Sequence, residues 1–107
     1  MDRKVRPYER KARPLDVDGA RNIQQEHANL MNIVYENVLA YVNAVIQSTL
    51  RAAPGKVPIY IRIPAAMNEM PRYDLRLVTE YVKRRLIRRG FSVRVAGMGQ
   101  IRVWWEF

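Results

Sequence analysis

The side chains here that can do chemistry are arginines and aromatic rings, and their spacing suits binding better than bond-making. Arg94 and Arg102 flank a Gly97-Met98-Gly99 turn. If that turn closes a β-hairpin, Arg94 stands opposite Arg102 and Ser92 opposite Trp104. Like charges facing each other across two strands cost about a few tenths of a kcal/mol or more, so the pairing calls for a reason. Upstream, Tyr60 and Arg62 alternate with Ile59, Ile61 and Ile63 and are expected on the same face. That face would show Tyr60, Arg62, Arg94, Arg102 and Trp104, with cations to neutralise phosphates and rings to stack bases. Single-stranded nucleic acid is held on open sheets in this way. The same residue types dominate protein interfaces. The plainer alternative is an arginine lying over Trp104 in a cation–π contact.

A second group of cations follows a helical period. Residues 72–90 hold seven Lys/Arg against Asp74 and Glu80. Within them Arg76, Lys83, Arg84 and Arg88 share one side of the expected helix, able to meet phosphates or an acidic protein surface. A solvated surface would look similar, but Glu80 is the only acid inside the run to balance it. A third group opens the chain. Residues 1–14 hold Arg3, Lys4, Arg6, Arg10, Lys11 and Arg13 against Asp2 and Glu9. With Pro7, Tyr8 and Pro14 among them, residues 1–15 read as an extended basic arm, suited to docking along a neighbour through those cations and Tyr8. The rest of the chain carries six charges of each sign, so the formal +9 is confined to these two stretches.

Catalytic groups are scarce. His27 is the only histidine, and Ser48 and Ser92 are the only serines. No serine has a base and an orienting carboxylate in prospect, and there is no cysteine nucleophile. Asp74 and Glu80 sit six residues apart, which turns them to different sides of a helix. Gly97-Met98-Gly99 joins two strands instead of opening a helix, so it is no phosphate cradle. The expectation is a protein without enzymatic activity, cofactor or metal.

The elements that must position these groups follow from periodicity. The Asp16-Val17-Asp18-Gly19 stretch signals a helix start. From about Ile23, Leu30, Met31, Val34, Val38, Val42, Val45, Ile46 and Leu50 recur at three and four, until Pro54-Gly55 stops the helix. It is long for so small a domain, so part of it is expected to reach past the core. Residues 57–63 alternate as a half-buried strand, with Pro58 placing its start at an edge or an unpaired position. Asp74 caps a second helix that ends at Arg89-Gly90 and buries Leu75, Val78, Val82 and Leu86 within an arc of about 80°. The hairpin closes the chain. The fold class is α+β, ordered helix–strand–helix–strand–strand, with a small three-stranded sheet and both helices on one face.

Length and composition allow one domain over residues 16–107 besides the arm. The 107 residues lack cysteine, which excludes disulfides and thiolate metal sites. No apolar run approaches a membrane span, and the N-terminus lacks the apolar stretch of a secretory signal.

Several short motifs carry a resemblance over about the last 50 residues. Ile59-Tyr60-Ile61-Arg62-Ile63-Pro64, then Pro71-Arg72-Tyr73-Asp74, then Arg89-Gly90-Phe91-Ser92-Val93 and Ile101-Arg102-Val103-Trp104 follow one another. The series resembles small conserved proteins of the large nucleocytoplasmic DNA viruses. That resemblance implies a structural protein, a minor capsid or virion component located in the virion or the host-cell virus factory, and it transfers no binding residues. The basic second helix, the long first helix and the arm depart from it. The element order is also similar to most of the archaeal chromatin protein Alba, with Ala65-Ala66-Met67-Asn68 standing where that family has a Gly-Arg-type loop.

The expected function is therefore a non-enzymatic assembly protein that docks on other proteins through its arm and Arg-rich helix. The alternative is a nucleic-acid-binding domain using the basic, aromatic sheet face with Lys83, Arg84 and Arg88.

Overall fold

The computed structural model describes residues 14–106. The first helix, α1, runs Val17–Ala52. Its cap is Asp16, whose carboxylate accepts from the Gly19 amide at 2.6 Å, satisfying one of the amides that open every helix. At 36 residues it is about 54 Å long. The start lies six residues before the apolar period begins at Ile23, because the cap and not the core defines it. Only the second half is anchored: Val34, Val38, Leu39, Val42 and Ile46 are buried, while residues 21–30 are exposed throughout.

Strand β1, Ile59–Arg62, alternates buried and exposed side chains as its sequence predicts. The second helix, α2, spans Leu75–Arg88. Asp74 caps it by accepting from the Arg76 and Leu77 amides. At its other end the Phe91 amide reaches Leu86 O and the Gly90 amide reaches Ile87 O. Gly90 has φ +95°, the left-handed closure that glycine permits. Val78, Val82 and Leu86 are fully enclosed and Leu75 packs beside them.

Strands β2, Ser92–Gly97, and β3, Gln100–Trp104, form the hairpin. Sheet order is β1-β3-β2, and both pairings are antiparallel. β1 and β2 therefore run the same way with β3 between them, and α2 makes the crossover. β1 is an edge strand, and Pro58 stands just before its first paired residue. Both helices cover one face, where Ile59, Ile61, Ile63, Ile101 and Val103 meet the apolar sides of α1 and α2 in a single core.

Candidate nucleic-acid interface

Alternation along three short strands puts every second side chain on the face away from the helices. The register makes the rows explicit. Tyr60 of β1 pairs with Arg102 of β3, which pairs with Arg94 of β2. The next row sets Arg62 opposite Gln100, and in the other direction Ser92 faces Trp104. The hairpin register predicted from the Gly97-Met98-Gly99 turn is present for Ser92 and Arg94 and slips at the tip, where Gly97 still belongs to β2 and pairs with Gln100. All five expected residues, Tyr60, Arg62, Arg94, Arg102 and Trp104, share this face.

They are not equivalent. Tyr60 is 70% exposed, and Arg62 and Arg94 are also exposed. Arg102 and Trp104 are half-buried. The Arg102 guanidinium lies over the Trp104 ring, 4.8 Å from its centroid. Both the cation–π contact and the open basic face are thus realised, in different residues. Stacking moves the Arg102 charge away from Arg94 and lowers the cost of two arginines in one register. It also encloses Arg102 Nε, which has no acceptor among the described residues. Arg102 is tied down, whereas Tyr60, Arg62 and Arg94 remain available.

A hollow of about 260 Å³ opens on this face, lined by Tyr60, Ile61, Arg62, Ala96, Gln100 and Ile101. It arises from a β-bulge. The register slips between Val95 and Gly97, so Ala96 is the extra residue and the β2 end of the hairpin bends. Gly97 makes room for the Gln100 carboxamide, since a Cβ there would come within 3.3 Å of Gln100 Oε1. A phenol ring, an arginine and a carboxamide thus border one shallow apolar floor. Those groups can stack on a base, hold its phosphate and hydrogen-bond to its edge.

The turn itself is locked from behind. The Ile63 amide donates to Gly99 O at 2.6 Å. Gly99 has φ +70°, and a Cβ on it would lie 3.0 Å from the Leu75 methyls. The loop after β1 is held by the Tyr73 hydroxyl, which donates to Pro64 O. Partial burial raises the Tyr73 pKa above its ordinary value.

The α2 cations lie in another layer. Val78, Val82 and Leu86 turn α2 toward the covered side of the sheet, so Arg84 and Arg88 face away from it and are exposed. Arg76 borders a separate hollow with Val95 and Met98 beside the hairpin tip, and Lys83 is half-buried. Arg84 and Arg88 and the sheet set are therefore two surfaces on opposite sides of the molecule, not one continuous site. Arm residues Arg3, Lys4, Arg6, Tyr8, Arg10, Lys11 and Arg13 lie outside the described residues.

A cluster that sequence reasoning missed joins the helices. Arg85 and the Tyr81 hydroxyl both donate to Glu36 of α1, and Tyr35 packs on Tyr81 with ring centroids 5.2 Å apart. Those two donors, Tyr81 first, hold the Glu36 carboxyl below its usual range. Burial, aided by Glu36, pushes the Tyr81 phenol up. The charge of α2 is thus partly answered from α1, across 49 residues of sequence. No local pattern could have signalled it.

Among the described residues no three His, Cys, Asp or Glu gather where a metal ion would be held. No described helix is long and apolar enough to cross a membrane. Fold and surface together define a small α+β domain with one open, arginine- and aromatic-bearing sheet face. Compared with protein-family models, curated proteins and solved structures, the chain matches none.

Proposed function

We propose that this protein is a non-enzymatic binding module for single-stranded nucleic acid, with the open sheet face as its site. One observation carries the reading: Tyr60, Arg62 and Arg94 stand exposed on a sheet face that has a hollow of about 260 Å³ bordered by Tyr60, Arg62 and Gln100. Arg62 and Arg94 neutralise phosphates, Tyr60 stacks a base, and Gln100 meets a base edge. Stacking on an aromatic ring is worth about 1–3 kcal/mol per base. A duplex keeps its bases stacked on each other and cannot supply that contact.

The test is titration of labelled single-stranded and duplex oligonucleotides against the wild type and Tyr60→Ala. The expected result is preference for single strands, with a roughly fivefold or greater loss in the variant, following from the stacking energy. Equal affinity for both forms, unchanged by the substitution, would sink the proposal.

A second reading has its own support. The exposed first half of α1 and the cations on the outer side of α2 are surfaces for protein contact, as a structural component of a large assembly would need. The motif resemblance supplies a setting for it, a minor capsid or virion component. The two readings are compatible, because they use opposite sides of the domain.

A further inference from the structure

The first half of α1 is a helix without a tertiary reason to be one. Gly19, Asn22, His27, Asn29 and Asn32 are weak helix formers. Residues 21–30 are exposed on every side. Most helical stability in proteins comes from packing an apolar face, and this stretch has such a face unused. Ile23, Leu30 and Ile33 are 58%, 43% and 59% exposed. With Glu26 they form a stripe, Ile23-Glu26-Leu30-Ile33, at intervals of three, four and three.

The outer side of α2 carries a stripe of the same spacing, Leu77-Glu80-Arg84-Ile87, with Leu77 49% and Ile87 47% exposed. On each helix the end residues lie about 15 Å apart. Laid antiparallel, Ile23 meets Ile87, Glu26 meets Arg84, Leu30 meets Glu80, and Ile33 meets Leu77. Laid parallel, Glu26 would face Glu80, so charge selects the antiparallel arrangement. Charge also favours this pair over the self-pairings. Two α1 stripes would set Glu26 on Leu30 with no cation opposite, and two α2 stripes, although they would pair Glu80 with Arg84 twice, would bring together helices that each carry five cations against one acid. Residues 17–33 carry Asp18 and Glu26 against Arg21, whereas α2 carries five cations against Glu80. The fields are complementary.

We infer that the projecting half of α1 docks antiparallel on the outer side of α2 of a second copy of this chain. The contact is heterologous, so it either closes as a pair in which each copy gives and receives a helix or extends as a filament. It stands apart from the sheet face and does not depend on nucleic-acid binding.

Sedimentation of the full chain, freed of nucleic acid, over about 1–100 μM tests it. The wild type self-associates with rising concentration. Glu26→Arg and Arg84→Glu each weaken association roughly fivefold or more, since each turns an attraction into a repulsion. Mixing these two variants restores association, because each then presents the charge the other lacks. Ile23→Ser combined with Ile33→Ser leaves a monomer whose circular dichroism retains the folded core. A wild type that stays monomeric across the range overturns the inference, as does a mixture that fails to restore association. Loss in Glu80→Arg with none in Glu26→Arg would assign the contact to two α2 helices and overturn it as well.

Discussion

The two faces of the sheet are made from alternate residues of the same strands, and they obey opposite rules. On the covered face, Ile59, Ile61, Ile63, Ile101 and Val103 are at most 3% exposed. On the open face, Tyr60, Arg62 and Arg94 stand in solvent and two arginines share one register. The first arrangement follows from burying apolar area. The second is what folding alone would avoid, because like charges oppose across β2 and β3. A face that departs from the stability rule is where function is to be sought.

Substitutions on the two faces should therefore separate stability from binding. The largest effect is expected from Ile101→Ala, which empties a side chain 1% exposed in the central strand. It should cost about 2–5 kcal/mol in denaturant unfolding. A cost under about 1 kcal/mol would mean that the covered face is not the close-packed core described here. Next comes Gly99→Ala at the turn that aligns both faces. The residue would sit at positive φ with its Cβ against Leu75 and Ile63 O, for a loss of about 1–3 kcal/mol. Unchanged stability would show that the hairpin tip tolerates a shifted loop.

The helix clamp gives a pH signature on the covered side. Glu36 is held below its ordinary value of 4.5 by Tyr81 and Arg85. Its contribution to stability is complete above the unfolded-state pKa and is lost as pH falls through the depressed folded-state value. Unfolding midpoints measured from neutral pH into the acid range should fall less steeply in Glu36→Gln than in the wild type. Parallel curves would remove the clamp from the explanation.

The smallest stability effect is expected on the open face. Arg102→Met gives up a cation–π contact but removes both an enclosed, unpaired Nε and a like-charge neighbour. Its thermal midpoint should lie within about 1 kcal/mol equivalent of the wild type. A loss comparable to that of Ile101→Ala would make Arg102 a structural residue.

Much of this contrast was legible in the residues themselves. The alternation of Ile59, Ile61 and Ile63 with Tyr60 and Arg62 assigns β1 its two faces, and Gly97-Met98-Gly99 sets Arg94 opposite Arg102. Asp74 and Gly90 bound α2 because capping is local chemistry. What depends on the third dimension was not legible. Nothing near β1 says that it pairs with β3 and not β2, and nothing near Arg85 points to Glu36. Ala96, the bulged residue behind the hollow, reads in sequence as an ordinary strand position. Arg84 and Arg88 belonged with the sheet residues only while layers were undefined; the packing of Val78, Val82 and Leu86 sends them to the opposite side.

The central claim is that the open face holds phosphates with Arg62 and Arg94. It is met most directly by the salt dependence of single-strand binding in the wild type and in Arg62→Ala with Arg94→Ala. Each lost phosphate contact lowers the slope of log K against log salt by about 0.7. A variant of wild-type stability whose slope is shallower by about 1.4 is the expected result. An unchanged slope would place the phosphates elsewhere on this basic chain and contradict the assignment of the sheet as the site.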